Sequence, residues 1–530
     1  MTGGQRVRRE IVNKKLINNK VKALLDTNII IHRESASKAI NPDIGILFKW
    51  LEKAKYQKYI HPITIEEINK NPNKDTVQTF NTKIANYEIL KTVAPLADKI
   101  ISIGEKFDVT ENDRNDTLLL NELFCDRVDV LISEDRKIHS KAKELNIGEK
   151  VFTIDSFLEK IVSENPELIN YNILSVTKKF FGDINLNDTF FDSFREDYIE
   201  FDKWFNKKAS DEAYVTINGD KLLSFLYMKI EDGNENYSDI SPPLHPAKRL
   251  KIGTFKVIGN GVRLGERFLK VIFDNALQNR VSEIYVTIFD KREEQNRLIQ
   301  LLEEWGFKLH GIKQSKNGNE KVFIRDFTPF FNILNPKLTY PYISTANSFF
   351  LVPVYPEYHT ELLPDSYLRT ESPKDFIENK PHRNAISKVY ISRSIERNVK
   401  RGDVLIFYRT ADKGSAYFTS VITTIAIVEE KIDGILNEQE FIIKCRKRSV
   451  FTDEELKKHW NYNPKYRPFI INFLYVLSFP LGKRINRQRL MELGILDGSD
   501  NEIRGLKEIG EEQFETILKD TGTNESIIVN

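Results

Sequence analysis

Ala23-Leu24-Leu25-Asp26-Thr27-Asn28-Ile29-Ile30-Ile31 is the stretch on which the reading of the fold turns. Its apolar opening does not alternate with polar residues, the pattern of a strand covered on both faces in a parallel sheet. The run ends at Asp26, which puts that carboxylate at the carboxyl end of a strand, where open α/β sheets hold their ligands. Three more acids border apolar runs in the same way. Glu67 lies in Ile60-His61-Pro62-Ile63-Thr64-Ile65-Glu66-Glu67-Ile68, where Thr64-Ile65 is expected to open a helix whose first turn carries two carboxylates. Glu67, followed by Ile68, is preferred to Glu66. Asp116 directly precedes Thr117-Leu118-Leu119-Leu120 and is expected at a helix entry, with Asp113 as its rival there. Asp135 follows the strand Val128-Asp129-Val130-Leu131-Ile132-Ser133 and leads into a helix through Ile138, Ala142 and Leu145.

Any one of these acids alone reads as an ordinary helix cap, because free amides and the helix dipole favour Asp there. Gathered at one sheet edge, the four would repel one another unless divalent cations lay between them, and hard Mg²⁺ or Mn²⁺ takes oxygen ligands. Asn28 and Ser133 stand where they could orient the carboxylates.

The order of the acids, the Asp26-Thr27-Asn28 step and the Ser133-Glu134-Asp135 step resemble a PIN-domain nuclease over residues 20–160. The resemblance implies a Rossmann-like α/β/α fold. It also implies that Asp26, Glu67, Asp116 and Asp135 are catalytic, bind Mg²⁺ or Mn²⁺, and serve the hydrolysis of RNA of the tRNA or mRNA class.

At 530 residues the chain is long enough for three domains of about 100–200 residues each. Lys and Arg number 79 against 77 Asp and Glu, so the distribution of charge says more than its sum. Arg6 to Lys22 is basic, as are Lys444 to Arg448 and Lys483 to Arg489, and from Glu492 the balance turns acidic. Basic arms suit phosphate backbones, although a solvated helix face gives the same run. Cys125 and Cys445 stand alone, which argues against a disulfide framework or a thiolate zinc site and for a reducing cytoplasm. The amino terminus has no apolar signal segment, and the longest apolar run, Phe469 to Phe479, is too short to span a bilayer.

Beyond about Asn165 the pattern changes. Leu222 to Ile230 reads as a strand, and Leu250 to Ile258 as another whose alternation slips at Gly253-Thr254, as at a bulge. Gly259-Asn260-Gly261-Val262-Arg263-Leu264-Gly265-Glu266 then opens a helix through Phe268, Val271 and Ile272. A strand at Ile284 to Ile288, a helix bearing Leu298, Leu301, Leu302 and Trp305, and Gly306-Phe307 follow. This series resembles a GNAT acetyltransferase over residues 171–328, with mixed α/β architecture. The resemblance implies acetyl-CoA as cofactor, its pyrophosphate held at Val262, Arg263, Leu264, Gly265 and Glu266 by loop amides and the helix amino terminus. Two departures stand out: Arg263 occupies a position usually glycine, and Leu302 the position of a tyrosine general acid.

Past Pro341 the chain becomes β-rich. Val389 to Ser392, Asp403 to Tyr408 and Ala416 to Val428 read as strands, with turns at Arg401-Gly402-Asp403 and Asp412-Lys413-Gly414. Residues 348–490 resemble a PUA-like barrel of the ASCH or EVE type, which implies a cleft for RNA or a modified base near Tyr390, Ser392 and Arg393. Residues 491–530 are expected to form an acidic tail, and hinges are expected at 163–171, 319–331 and 335–341. The multi-domain α/β and β expectation is thus a cytoplasmic ribonuclease with an acetyl-CoA module and an RNA-reading barrel. By analogy it would be a toxin or phage-defence effector, with an inhibitory partner or as a homo-oligomer. The alternative is an N-acetyltransferase whose other domains deliver RNA or a partner.

Overall fold

The computed structural model describes residues 21–34, 42–164, 176–218, 221–258, 263–366, 381–411, 416–446, 448–480, 482–499, 503–523 and 525–529. The chain forms two compact units, Met1–Asn170 and Tyr171–Asn530.

In the first unit β1 (Lys22–Leu25), β2 (Gln57–Ile60), β3 (Glu88–Ile89), β4 (Val130–Ile132) and β5 (Val151–Phe152) form one sheet in the order β3-β2-β1-β4-β5. Every pairing is parallel. Alternation along β1 and β4 feeds two cores. Leu24 and Leu131 pack with Leu119, Leu120 and Ile138, whereas Ala23, Leu25, Val130 and Ile132 pack with Ile29, Phe48 and Phe157. Helices Asp98–Phe107, Glu111–Phe124 and Arg136–Glu144 therefore cover one face, and Thr27–Glu34, Pro42–Lys53 and Ile154–Glu164 the other. The continuous apolar runs are explained by burial on both sides.

Two helix entries differ from expectation. His61, not Thr64, caps the helix Pro62–Asn69, its Nδ1 accepting from the Ile63 amide at 3.1 Å, so Glu66 and Glu67 fall beyond the first turn. Thr110 caps the helix Glu111–Phe124: its hydroxyl accepts from the Asp113 amide at 3.2 Å, while the Asp113 carboxylate accepts from the Thr110 amide at 2.8 Å. This reciprocal cap starts the helix early and leaves Asp116 in its second turn rather than at its entry.

The second unit contains an eight-stranded sheet of β6 (Thr177–Phe180), β7 (Glu212–Asn218), β8 (Lys221–Glu231), β9 (Ile240–Ser241), β10 (Arg249–Val257), β11 (Glu283–Ile288), β12 (Lys308–Ser315) and β13 (Gly318–Asp326). Its order is β6-β7-β8-β10-β11-β13-β12-β9. Only β10 and β11 pair in parallel, and they do so from Arg249 to Ile252 alone. The register of β10 against β8 slips between Ile252 and Thr254, the expected bulge. Gly253 is needed there, because a Cβ would stand 2.7 Å from the Tyr227 ring. Beyond the bulge β10 leaves β11, so the sheet opens between them.

Then come β14 (Ile343–Ser344), β15 (Phe349–Val354), β16 (Ser387–Ser392), β17 (Val404–Arg409), β18 (Val421–Ile432), β19 (Phe469–Ser478), β20 (Lys507–Ile509) and β21 (Ile528–Val529). Six of them run in the open order β16-β19-β18-β17-β15-β20, and β14 pairs with β21. The expected barrel closure is not among the described pairings: β16 and β20 are the two ends of the series. Ala416–Thr419 is a short helix, and the strand begins only at Val421.

Residues 491–530 are not a tail. β20 adds antiparallel to β15, and β21 adds parallel to β14. Between them the helix Glu511–Thr521 turns Phe514, Ile517 and Leu518 into the core and its acids outward, the amphipathic spacing of a docked helix. Phe514 stacks on Phe349 with centroids 4.2 Å apart. One core runs from Leu226 through Tyr340 to Ile527. The expected breaks at 319–331 and 335–341 are therefore filled by β13 and by Tyr340, whose hydroxyl donates to the Tyr475 carbonyl at 2.7 Å. Among the described residues no helix is long and apolar enough to cross a membrane.

Candidate functional site

Asp26 directly follows β1 and is buried. Its Oδ2 accepts from the Ser133 hydroxyl at 2.6 Å, and that hydroxyl accepts in turn from the Asp135 amide at 3.0 Å. Ser133 thus joins the ends of β1 and β4. Asn28 acts through its main chain, donating to Asp26 Oδ1 at 3.3 Å, and its side-chain position is exposed. Glu67 is held by two groups not singled out above: Thr27 Oγ1 donates to Oε2 at 2.5 Å and Asn115 Nδ2 to Oε1 at 2.7 Å. Their signal in the sequence is adjacency, since each stands beside a candidate acid. Asp135 caps its helix, accepting from the amides of Lys137 at 2.6 Å and Ile138 at 3.1 Å.

Asp116 differs from the other three. Its carboxyl has no hydrogen-bond partner among the described residues, and burial together with the charges of Asp26, Asp135 and Glu67 pushes its pKa up to about 8. Asp26 is raised to about 6 by burial, with Asp135 and Glu67 adding repulsion against the lowering hydrogen bonds. The four acids therefore share one field at the carboxyl edge of the sheet. Asp113, the rival to Asp116, is instead an ion-pair and cap residue, 2.7 Å from Lys137 Nζ and held well below the usual carboxylate range. Buried Lys141 pairs with Asp108 at 2.6 Å and donates to the Asp113 carbonyl and the Thr117 hydroxyl, both at 2.8 Å, so its charge is already used.

Chemically, this set is a group of hard oxygen donors with more negative charge than local cations balance. Among the described residues no three His, Cys, Asp or Glu side chains stand in a ready-made metal-ligating arrangement. Ser133, Thr27, Asn115 and the helix amides each engage a carboxylate oxygen of Asp26, Glu67 or Asp135. The donor set suits Mg²⁺ or Mn²⁺, and convergence on an ion would require Glu67 and Asp135 to trade those contacts for it.

In the second unit, Val262 lies outside the described residues. Arg263 has the left-handed φ of +56° usual for glycine and precedes the helix Leu264–Asn279. Leu264 is core, and Gly265 lets the helix Glu293–Glu304 approach, since a Cβ would meet Leu301 Cδ2 at 2.8 Å. Glu266 is buried, 2.7 Å from Arg263, and its Oε2 accepts from the amides of Ile386 at 2.9 Å and Ser387 at 3.2 Å. Burial opposes its charge, but Arg263, Arg448 and Lys337 hold its pKa down at about 2. Leu302 is buried in the core.

Tyr390 points inward: its hydroxyl donates to the Pro353 carbonyl at 2.8 Å and its ring lies edge-on to Phe407. Ser392 is buried, its hydroxyl accepting from the Ser394 amide at 3.2 Å. Of the three positions expected at a nucleobase cleft only Arg393 is exposed, over the ring of Tyr462.

No protein-family model matches the sequence, and no curated relative is found. Solved acetyltransferases resemble part of the chain. Naa50 of Arabidopsis thaliana, in complex with a bisubstrate analogue, is 15% identical, with 29% of this chain and 99% of that one covered and a TM-score of 0.20. Ard1 of Thermoplasma volcanium is 12% identical, covering 29% and 98%, TM-score 0.22. A GNAT-family acetyltransferase of Streptococcus agalactiae is 11% identical, covering 30% and 98%, TM-score 0.20. The strand order, the bulge at Gly253 and the opening between β10 and β11 are properties of the eight-stranded sheet itself.

Proposed function

We propose that the first unit is a metal-dependent ribonuclease of the PIN type, and that the second carries a GNAT-like module able to take acetyl-CoA. The observation that carries the nuclease reading is Asp116, a carboxyl without a hydrogen-bond partner among the described residues, raised to about 8 beside three other acids at the end of a parallel sheet. Asp26, Glu67, Asp116 and Asp135 would hold one or two Mg²⁺ or Mn²⁺ ions, which supply charge neutralisation and Lewis-acid activation of water and phosphate. Ser133 would fix Asp26, while Thr27 and Asn115 would hold Glu67 until an arriving ion takes over its oxygens. Hydrolysis adds water across a P–O bond: oxygen goes to phosphorus and a proton to the leaving ribose oxygen. The test is Mn²⁺-dependent cleavage of bulk tRNA and mRNA by wild type, Asp26→Asn and Asp116→Asn. Cutting lost in both variants supports the reading, and cutting retained by either overturns it.

A second reading, an N-acetyltransferase, is favoured by the opening of the sheet beyond Gly253, where a pantetheine arm could pass between β10 and β11. There an amine would attack the thioester carbon, the C–S bond would break, and the thiolate would leave with a proton from solvent or substrate, since Leu302 supplies none. Calorimetry with acetyl-CoA tests this reading, and the absence of heat would retire it.

A further inference from the structure

The helix Asp453–Asn461 runs into Asn461-Tyr462-Asn463-Pro464-Lys465-Tyr466-Arg467, a loop that interleaves rings and cations. Tyr462 is 71% exposed and Tyr466 65%. Against this loop lies Arg393-Ser394-Ile395-Glu396-Arg397, in which Ile395 is also in solvent. Three guanidinium groups lie over rings here: Arg393 at 4.2 Å from the Tyr462 centroid, Arg467 at 4.6 Å from Trp460 and Arg397 at 4.7 Å from Phe469. Backbone contacts fix two of them, Arg397 donating to the Arg467 carbonyl at 2.6 Å and Arg467 to the Trp460 carbonyl at 2.5 Å. Arg393 has no carboxylate partner among the described residues.

This surface is pre-set for planar, negatively charged ligands. Every base has a π-face that stacks on an aromatic ring whatever its sequence, and the cations beside the rings meet the phosphates. A duplex hides those faces, so the fit is to unpaired nucleotides. An acidic peptide would satisfy the arginines but make no use of the exposed Tyr466 ring or of the part of the Tyr462 ring that Arg393 leaves open.

We propose that Arg393, Arg397, Tyr462, Lys465, Tyr466 and Arg467 form a stacking platform for single-stranded RNA, separate from the acidic edge of the first unit and distinct from the inward-facing Tyr390. The choice of RNA over DNA rests on the ribonuclease reading; the stacking does not. The full chain is titrated, with chelator present so that no cleavage occurs, against a fluorescein-labelled RNA strand of roughly 12 nucleotides, within the span such surfaces cover. Tyr462→Ala with Tyr466→Ala weakens binding about tenfold or more, whereas Tyr462→Phe with Tyr466→Phe keeps it. Arg393→Ala lowers the slope of log affinity against log salt by about one. Unchanged affinity in a folded alanine pair, or no binding by wild type, overturns the platform. Equal affinity for a matched hairpin overturns stacking as its basis, and equal affinity for matched DNA overturns the assignment to RNA. Asp26→Asn tests the nuclease separately, since binding is read without cation and without cleavage.

Discussion

The side-chain amide of Asn115 donates to Glu67 Oε1 at 2.7 Å, joining the helix that bears Asp116 to the helix that follows β2. Residues 48 positions apart are thereby locked at one sheet edge. Asn115→Ala should lower Mn²⁺-dependent cleavage by about 10- to 100-fold, the usual range for groups that orient a ligand carboxylate. Added Mn²⁺ should restore part of the loss, which steady-state cleavage over a metal titration measures.

Ion binding should release protons. At pH 7 Asp116, at about 8, is largely protonated and Asp26, at about 6, largely ionised. Loading the site should therefore expel about one proton, and affinity should rise from pH 6 to pH 8. Calorimetry of Mn²⁺ binding in buffers of different ionisation enthalpy counts the proton, and a buffer-independent heat contradicts the scheme.

The same carboxyls make the metal-free protein less stable in alkali. A folded-state pKa above the unfolded value means that the native chain binds the extra proton, so the stabilisation is complete below the unfolded value of 3.8 and is lost as pH rises through about 6 for Asp26 and about 8 for Asp116. With chelator, melting temperature should fall between pH 5 and pH 8, by about 2–4 °C for each kcal/mol lost. Asp116→Asn should flatten that slope.

Lys388 gives the opposite trend in the second unit. Burial lowers its pKa to about 7 against the pull of Asp365. A depressed lysine leaves the unfolded chain binding more protons between about 7 and 10.5, so stability contributed here rises with pH across that window. Lys388→Met should remove the rise, which urea unfolding at pH 7 and pH 9 detects.

Glu266→Ala should cost about 3–5 kcal/mol, because it strips a buried carboxylate from Arg263 and leaves the amides of Ile386 and Ser387 unpaired. Glu266→Gln, which can still accept from the amides, should cost less by urea unfolding.

Much of the first unit could be read from residue order. A strand buried on both faces is continuously apolar, so β1 and the place of Asp26 followed directly. The bulge at Gly253 was visible as a broken alternation. Other features depend on packing that a single strand does not declare. Tyr390 has the composition of a cleft residue, but β16 turns it toward Pro353, and only the neighbouring strands decide which face is covered. Thr110 and Asp113 carried a capping signature, yet the nearer Asp116 drew the expected helix start toward itself. In the carboxyl-terminal stretch the acids outnumber and mask Phe514, Ile517 and Leu518, whose three- and four-residue spacing marks a docked helix.

The uninterrupted interior that passes through Tyr340 has a consequence for how this chain can be inherited or rebuilt. A recombination point between the eight-stranded and six-stranded sheets would yield two fragments with raw apolar faces, not two usable parts. Residues 171–530 must travel as a single cassette, and shuffling can add to its borders but not divide it.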